Sequence, residues 1–183
     1  MAGYFSGIQA PWRDWPRPVR LFFAKAALLV ILWKLAYLLW LMPLGQPNRW
    51  LTNHTASSTA WLLNAMGEQP PVFAHYEAHR AHVYNARQQN LLIGNSCNGL
   101  EIHVLYAGFL VCFLPTRQAL RWLAFLVGGL LLLYGLNVLR CAGLYGLMVH
   151  YPQWLDIAHK FIFKIVLYSV VATLWYAYTR RLY

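Results

Sequence analysis

The chain has 183 residues, of which 60% are hydrophobic and only 11% carry a charge, whereas a soluble domain has about a quarter charged residues. Its apolar residues form runs long enough to cross a bilayer, which takes about 20 residues per helix. The net charge of +10 does not indicate a nucleic-acid partner, because the basic residues cluster at the ends of the apolar runs. The composition therefore predicts one integral membrane domain whose environment is the lipid bilayer.

The first half of the chain predicts one membrane span followed by a long polar segment. Residues 19–42 form the first span. Residues 51–66 are too short and too polar to span, so they predict an interfacial or re-entrant helix. The alternating pattern of residues 70–94 predicts short strands or a hairpin outside the bilayer.

Three further apolar runs follow, at residues 98–114, 120–139 and 157–178. We therefore predict an all-α integral membrane protein with about four transmembrane helices, an interfacial or re-entrant helix and a small extracytoplasmic loop region. With four spans, every basic group at a helix end falls on one side, which the positive-inside rule makes cytoplasmic. These groups are Arg13, Arg17 and Arg20, then Arg117 and Arg121, then Arg180 and Arg181.

This topology brings three reactive side chains to the outer membrane level from three different helices. Cys97 opens the second span, Arg140 ends the third, and His159 opens the fourth. A thiol, an imidazole and a fixed cation suit acyl transfer, as nucleophile, proton carrier and stabiliser of oxyanion charge. A neighbouring cation also favours the reactive thiolate. The pattern therefore predicts a nucleophilic site facing the outside.

Each of these residues also has a simpler explanation. Cys97 could be an inert thiol, Arg140 could reach the lipid headgroups, and His159 could be an interfacial polar residue. His150, also predicted outside, competes with His159. A structural scaffold or assembly subunit is therefore an alternative.

The remaining cysteines and histidines give weaker signals. Cys112 lies inside an apolar run and predicts a packing residue. A redox pair of Cys97 with Cys141 stays open, although the chain has no Cys-x-x-Cys motif. The stretch HYEAHRAH could bind a metal but is more typical of an exposed polar loop, and Asn53-His-Thr fits a glycosylation sequon by chance. The metal candidates are His75, Glu77, His79 and His82.

Three motifs in order resemble the exosortase/archaeosortase family of membrane cysteine transpeptidases. They are NSCNGLE, then NVLR about forty residues later, then AHKFIFKIVLY before the last helix. The resemblance covers residues 45–178 and is closest to the short, core-only members. The family pattern falls on Cys97 with Gly99, Asn137 with Arg140, and His159.

The resemblance implies a function. Cys97 would attack a peptide carbonyl and form a thioester, Arg140 would hold the oxyanion, and His159 would protonate the leaving amine. Asn98 and Gly99 would turn the chain so that the thiol faces an aqueous cleft. The substrates would be secreted proteins ending in a short motif, a hydrophobic helix and a basic tail. The enzyme would lie in a bacterial inner membrane, with its site outside and without a cofactor.

Overall fold

The computed structural model describes residues 17–41, 43, 45–77, 80–94, 97–112 and 118–180. Within these residues the chain is mostly helical and contains one three-stranded antiparallel sheet. In chain order the elements are α1 (Arg17–Ala36) with a π-helical turn (Tyr37–Leu41), α2 (Gln46–Ala65), β1 (Val72–Tyr76), β2 (Arg80–Asn85), β3 (Asn90–Gly94), α3 (Leu100–Cys112), α4 (Ala119–His150), α5 (Pro152–Ile157), a second π-helical turn (Ala158–Ile162) and α6 (Phe163–Arg180).

Three helical stretches are long and apolar enough to cross a membrane. They are Phe23–Trp40, which runs from α1 into the first π-helical turn, then Ala119–His150, and Pro152–Arg180, in which α5, the second π-helical turn and α6 run on without a break. Most of their large apolar side chains point outward, as lipid-facing helices require. α3 is apolar but has only 13 residues, a length of about 20 Å.

Two hydrophobic cores divide the molecule, and α4 runs through both. The helical core lies between α3, α6 and the first half of α4; its buried members are Ile102, Tyr106, Leu110, Leu133, Leu167, Val171 and Tyr178. The sheet core lies between α2, the sheet and the second half of α4; its buried members are Ala56, Ala60, Leu63, Val72, Ala81, Val83, Ile93, Cys141, Ala142 and Tyr145. α4 is thus the element that fixes one core relative to the other.

The sheet has the order β1-β2-β3 and is built from two successive hairpins. Ala81 of β2 lies opposite Ile93 of β3, so the buried residues of both strands share the face that packs on α2. α2 packs on the sheet through Ala56, Ala60 and Leu63, and it also buries three threonines, which are Thr52, Thr55 and Thr59.

The predicted mostly helical, multi-pass fold is confirmed, whereas the predicted count of four spans is not confirmed by the described residues. The predicted strands exist, but they form a complete three-stranded sheet. The predicted second span at 98–114 is only α3 within the described residues, with 13 residues where a crossing needs about 20. A multi-pass architecture with three candidate spans is what the described residues show.

Two predicted helix boundaries are also wrong. The third span was expected to end at residue 139, but α4 continues to His150, because its last turns are buried against the sheet instead of meeting water. The fourth was expected to begin at residue 157, but helical structure begins at Pro152. Proline is favoured in the first turn of a helix, where its missing N–H is not needed. Arg140 therefore lies within a helix and does not end one.

The predicted topology can be tested by reporter fusions. The positive-inside rule places residues 115 and 183 in the cytoplasm, whereas residue 87, in the hairpin between β2 and β3, and Pro152 should lie outside. Alkaline phosphatase fused at 87 and 152 should be active, and the same fusions at 115 and 183 should be inactive. An inactive fusion at residue 87 would indicate that this residue is cytoplasmic and would contradict an outer location for the sheet.

Candidate active site

Residues 97–99 are the described part of the loop between β3 and α3. Cys97 is tied to the strand, because its N–H donates to the Gly94 carbonyl at 2.9 Å. The last residue of the loop, Gly99, has φ of +82°, a conformation that glycine adopts without strain. The Asn98 side chain accepts a hydrogen bond from the Leu100 N–H at 2.9 Å and so caps the start of α3. The loop is therefore ordered at both ends.

Asn98 also fixes the loop to α2. Its side chain is fully buried, and its amide donates to the Asn48 side chain and to the Thr52 hydroxyl, both at 3.1 Å. A third contact reaches the Asn48 carbonyl at 3.3 Å. A buried amide costs free energy unless it is hydrogen-bonded, so this set of partners specifies one position for Asn98.

Two side chains of α4 hold the loop from the opposite side. Arg140 Nη2 donates to the carbonyl oxygen of Cys97 at 2.9 Å, and Asn137 Nδ2 approaches the same oxygen at 3.4 Å. The two residues are three apart in sequence and therefore share one face of the helix. Gly99 packs so closely here that an added Cβ would lie 3.0 Å from Asn137 Cγ. Glycine at 99 is required by both its φ and this contact.

His159 reaches the thiol from the last helical stretch. Its Nε2 lies 3.4 Å from Cys97 Sγ, a distance compatible with proton transfer between them. The residue lies in the π-helical turn between α5 and α6. Such turns insert one extra residue and commonly occur at functional sites, because they redirect a side chain relative to the rest of the helix. Here the turn carries the imidazole that contacts the thiol.

Arg140 is a buried cation, with 8% of its surface exposed. The ion pairs among the described residues are Glu77–His82 and Asp156–Lys160, so none of the described carboxylates neutralises the guanidinium. Its Nε is buried and makes no hydrogen bond to the described residues. Burying an uncompensated charge is costly, so a site of this kind favours negative charge nearby. A thiolate at Cys97, or an oxyanion formed there, would supply this negative charge.

A cavity of about 300 Å³ gives access to these groups. Cys97, Arg140 and His159 all contribute to its wall, together with Cys141 and Asp156. The rest of the wall is apolar and comes from β3, α4 and α5; it comprises Leu91, Leu92, Ile93, Leu144, Pro152 and Leu155. An apolar cavity with a few convergent polar groups is typical of a binding site.

The structure brings the six candidate residues of the sequence into one constellation. Cys97, Arg140 and His159 share the cavity, whereas Asn98, Gly99 and Asn137 hold the loop that carries the thiol. The competing His150 is exposed at the end of α4, where it contacts the ring of Tyr151. Asn48 and Thr52 were not identified from the sequence. Their only signal is that two polar residues four apart lie on one face of α2.

The other cysteines differ in position. Cys112 lies at the end of α3 and lines a separate apolar cavity with Trp175. Cys141 is buried and lines the same cavity as Cys97, and both are present as thiols. A redox exchange between Cys97 and Cys141 therefore stays an alternative to acyl transfer.

The histidine-rich stretch lies in the sheet. His75 and His82 are opposite each other on β1 and β2, and His82 Nε2 lies 3.4 Å from Glu77 Oε1. His79 lies outside the described residues. Among the residues that the structure describes, no group of three or more potential ligands could hold a metal ion.

No curated protein and no solved structure matches the chain. The model of the transmembrane exosortase family matches residues 19–177, which include the sheet core and the cavity with Cys97. The chain belongs to the transmembrane exosortase family.

Proposed function

We propose that this chain is a membrane cysteine transpeptidase or peptidase that cleaves the C-terminal sorting signal of secreted proteins at the outer face of a bacterial inner membrane. Family membership supports a role in protein sorting. The observation that carries the proposal is the 3.4 Å contact between Cys97 Sγ and His159 Nε2 beside a buried guanidinium. A thiol paired with a base and a fixed cation is the arrangement that acyl transfer needs.

The reaction begins when His159 accepts the thiol proton and the Cys97 thiolate attacks the scissile carbonyl. The tetrahedral oxyanion collapses, the C–N bond breaks, and His159 returns the proton to the leaving amine. The secreted protein is then held to Sγ as a thioester, and the hydrophobic C-terminal piece leaves. Attack by an acceptor amine or by water releases the product and restores the thiol. No cofactor is required by these steps.

Arg140 acts in two ways in this mechanism. Its bond to the Cys97 carbonyl holds the backbone of the nucleophile, which positions Sγ against His159. Its charge, in a low-dielectric setting, favours the thiolate and then the oxyanion. A planar guanidinium can do both because it has five N–H donors in a fixed arrangement.

The substrates in this proposal carry a short motif, a hydrophobic helix and a basic tail. The hydrophobic helix remains in the bilayer beside the enzyme, and the motif reaches the cavity from outside. The position of Arg140 supports this arrangement, because it lines the cavity and lies on α4 between Leu133 of the helical core and Tyr145 of the sheet core. The enzyme therefore contacts the hydrophobic helix of the substrate in lipid and the motif in water.

The thioester predicts a covalent complex that can be trapped. Cells expressing an epitope-tagged chain should contain a tagged species of higher mass, which neutral hydroxylamine cleaves. Cys97→Ala should abolish both this species and C-terminal processing of secreted proteins, and the chain should still accumulate in the membrane. Cys112→Ala is the matched control, because it removes a thiol outside the cavity at a cost of about 1 kcal/mol.

The measurement is an immunoblot of the tag with mass spectrometry of the released partner. Normal processing by Cys97→Ala would contradict the proposal. A species that reductant cleaves and hydroxylamine does not would favour the redox alternative of Cys97 with Cys141.

Replacing Arg140 by lysine separates charge from geometry. Lysine keeps the charge but loses the planar fork, so it cannot hold the Cys97 carbonyl and face an oxyanion together. Arg140→Lys should slow processing by about two to three orders of magnitude, the usual effect of losing an oxyanion donor. The variable to follow is the time course of processing at matched expression. Near-normal processing rates would exclude Arg140 from catalysis and leave Cys97 and His159 as the catalytic residues.

Gly99 offers a test of the loop. Gly99→Ala should impair processing strongly, because alanine at φ of +82° is strained by about 1–2 kcal/mol and its Cβ would press on Asn137. The control is Gly135→Ala on α4, where an added Cβ meets nothing within 4 Å. Processing by the control should equal wild type. Equal loss in both variants would show that the effect is not specific to the loop.

A further inference from the structure

β3 borders the cavity with its outer edge. Leu91, Leu92 and Ile93 all line the cavity. Successive side chains of a strand point to opposite faces of a sheet, so a cavity that all three contact must lie at the edge of the strand. β3 is an edge strand of the sheet, which has the order β1-β2-β3. The far wall of the cavity is α5, with Pro152 and Leu155.

The register shows which backbone groups of β3 face this cavity. The Asn85 N–H donates to the Gln89 carbonyl, so this pair of the hairpin is hydrogen-bonded. Hydrogen-bonded pairs alternate along an antiparallel ladder, and Leu91 and Ile93 are therefore bonded to β2. Leu92, between them, directs its N–H and C=O away from β2. Among the described residues nothing hydrogen-bonds to these two groups.

The opposite edge of the sheet is different. The same alternation places the N–H and C=O of Val72 on the outer edge of β1. Both are occupied by the side chain of Asn64, at 2.8 Å each. The backbone groups on the outer edge of β1 are thus hydrogen-bonded to a side chain at Val72, whereas those on the outer edge of β3, beside the cavity, have no such partner among the described residues at Leu92.

We propose that the edge of β3 binds the substrate segment that precedes the scissile bond, as an added strand running parallel to β3. This rests on the proposed function. The occupant follows from continuity, because β3 ends at Gly94 and the Gly94 carbonyl accepts a hydrogen bond from the Cys97 N–H. A peptide whose carbonyl lies at Sγ and whose preceding residues follow the strand is held by main-chain bonds to Leu92. Main-chain pairing at an open edge is a common mode of peptide recognition.

The added strand explains the apolar walls of the cavity. Alternate side chains of a paired peptide point to opposite sides of the sheet, so one would enter the cavity toward Leu144 and Leu155. The substrate class is therefore an extended peptide with a small or medium apolar side chain near the scissile bond. Main-chain bonds would supply binding that does not depend on the other side chains.

The test uses a synthetic probe and needs no knowledge of the natural substrate. Acetyl-Ala-Leu-Ala-Leu-chloromethyl ketone alkylates a thiolate at its methylene carbon and releases chloride. Iodoacetamide alkylates the same thiol without offering a peptide backbone. Intact-mass measurement gives the rate constant of each reagent at Cys97, with Cys97→Ala as blank. The ratio of the two rate constants reports docking of the peptide separately from reactivity of the thiol.

Leu92→Pro removes the outward N–H, which a strand edge tolerates. The ratio should fall by about tenfold, as expected for the loss of a main-chain bond or two. Ala74→Pro is the matched control, because the alternation places the Ala74 N–H on the opposite edge of the same sheet. Its ratio should equal that of the wild type. A ratio unchanged by Leu92→Pro, or lowered equally by both variants, would overturn the proposal.

A second measurement uses the wild-type chain and is independent of folding of the variants. N-methylation of the probe at successive residues should lower the ratio at alternate positions only, because every second N–H of an added strand faces its neighbour. Equal effects at adjacent positions would also overturn strand docking. Neither outcome bears on the proposed function, which the hydroxylamine-sensitive complex tests by itself.

Discussion

The organisation of this molecule depends on one carbonyl oxygen, that of Cys97. Arg140 and Asn137 reach it from α4, and the same loop is fixed to α2 through Asn98. Without these bonds the segment between β3 and α3 would have no reason to hold its thiol against His159. The buried guanidinium is costly by itself, so the stability of the site and its chemistry have the same requirement, which is negative charge or a carbonyl dipole beside Arg140.

The two cores have surfaces of different character, and α4 carries Arg140 between them. The helical core is surrounded by outward-pointing apolar side chains, as expected for helices in lipid. The sheet core contains a polar helix and a sheet whose outer face carries His82 and Asn90, side chains that hydrogen-bond to each other. Arg140, which lines the cavity with Cys97, lies on α4 between these two cores.

The sequence was sufficient for the membrane class, the strands and the candidate residues. Hydrophobic runs indicate lipid contact directly, and Cys97, Arg140 and His159 lie at or near the ends of those runs. The sequence could not predict that α4 continues beyond residue 139, because this continuation is stabilised by the sheet, which is distant in sequence. Asn48 and Thr52 were missed for the same reason. Their role exists only through Asn98, about fifty residues away.

The unbroken course of α4 through both cores constrains its helical phase. Leu133 packs in the helical core and Tyr145 in the sheet core, with Arg140 between them. One residue inserted between Leu133 and Asn137 would rotate everything beyond it by about 100°. Arg140 would then turn away from the loop, and Tyr145 would turn away from the sheet. Insertions or deletions in this stretch should therefore be absent from working members of the family. Adaptation to bilayers of different thickness has to occur at the opposite end of the helix, near Ala119, where added turns alter neither the site nor its phase.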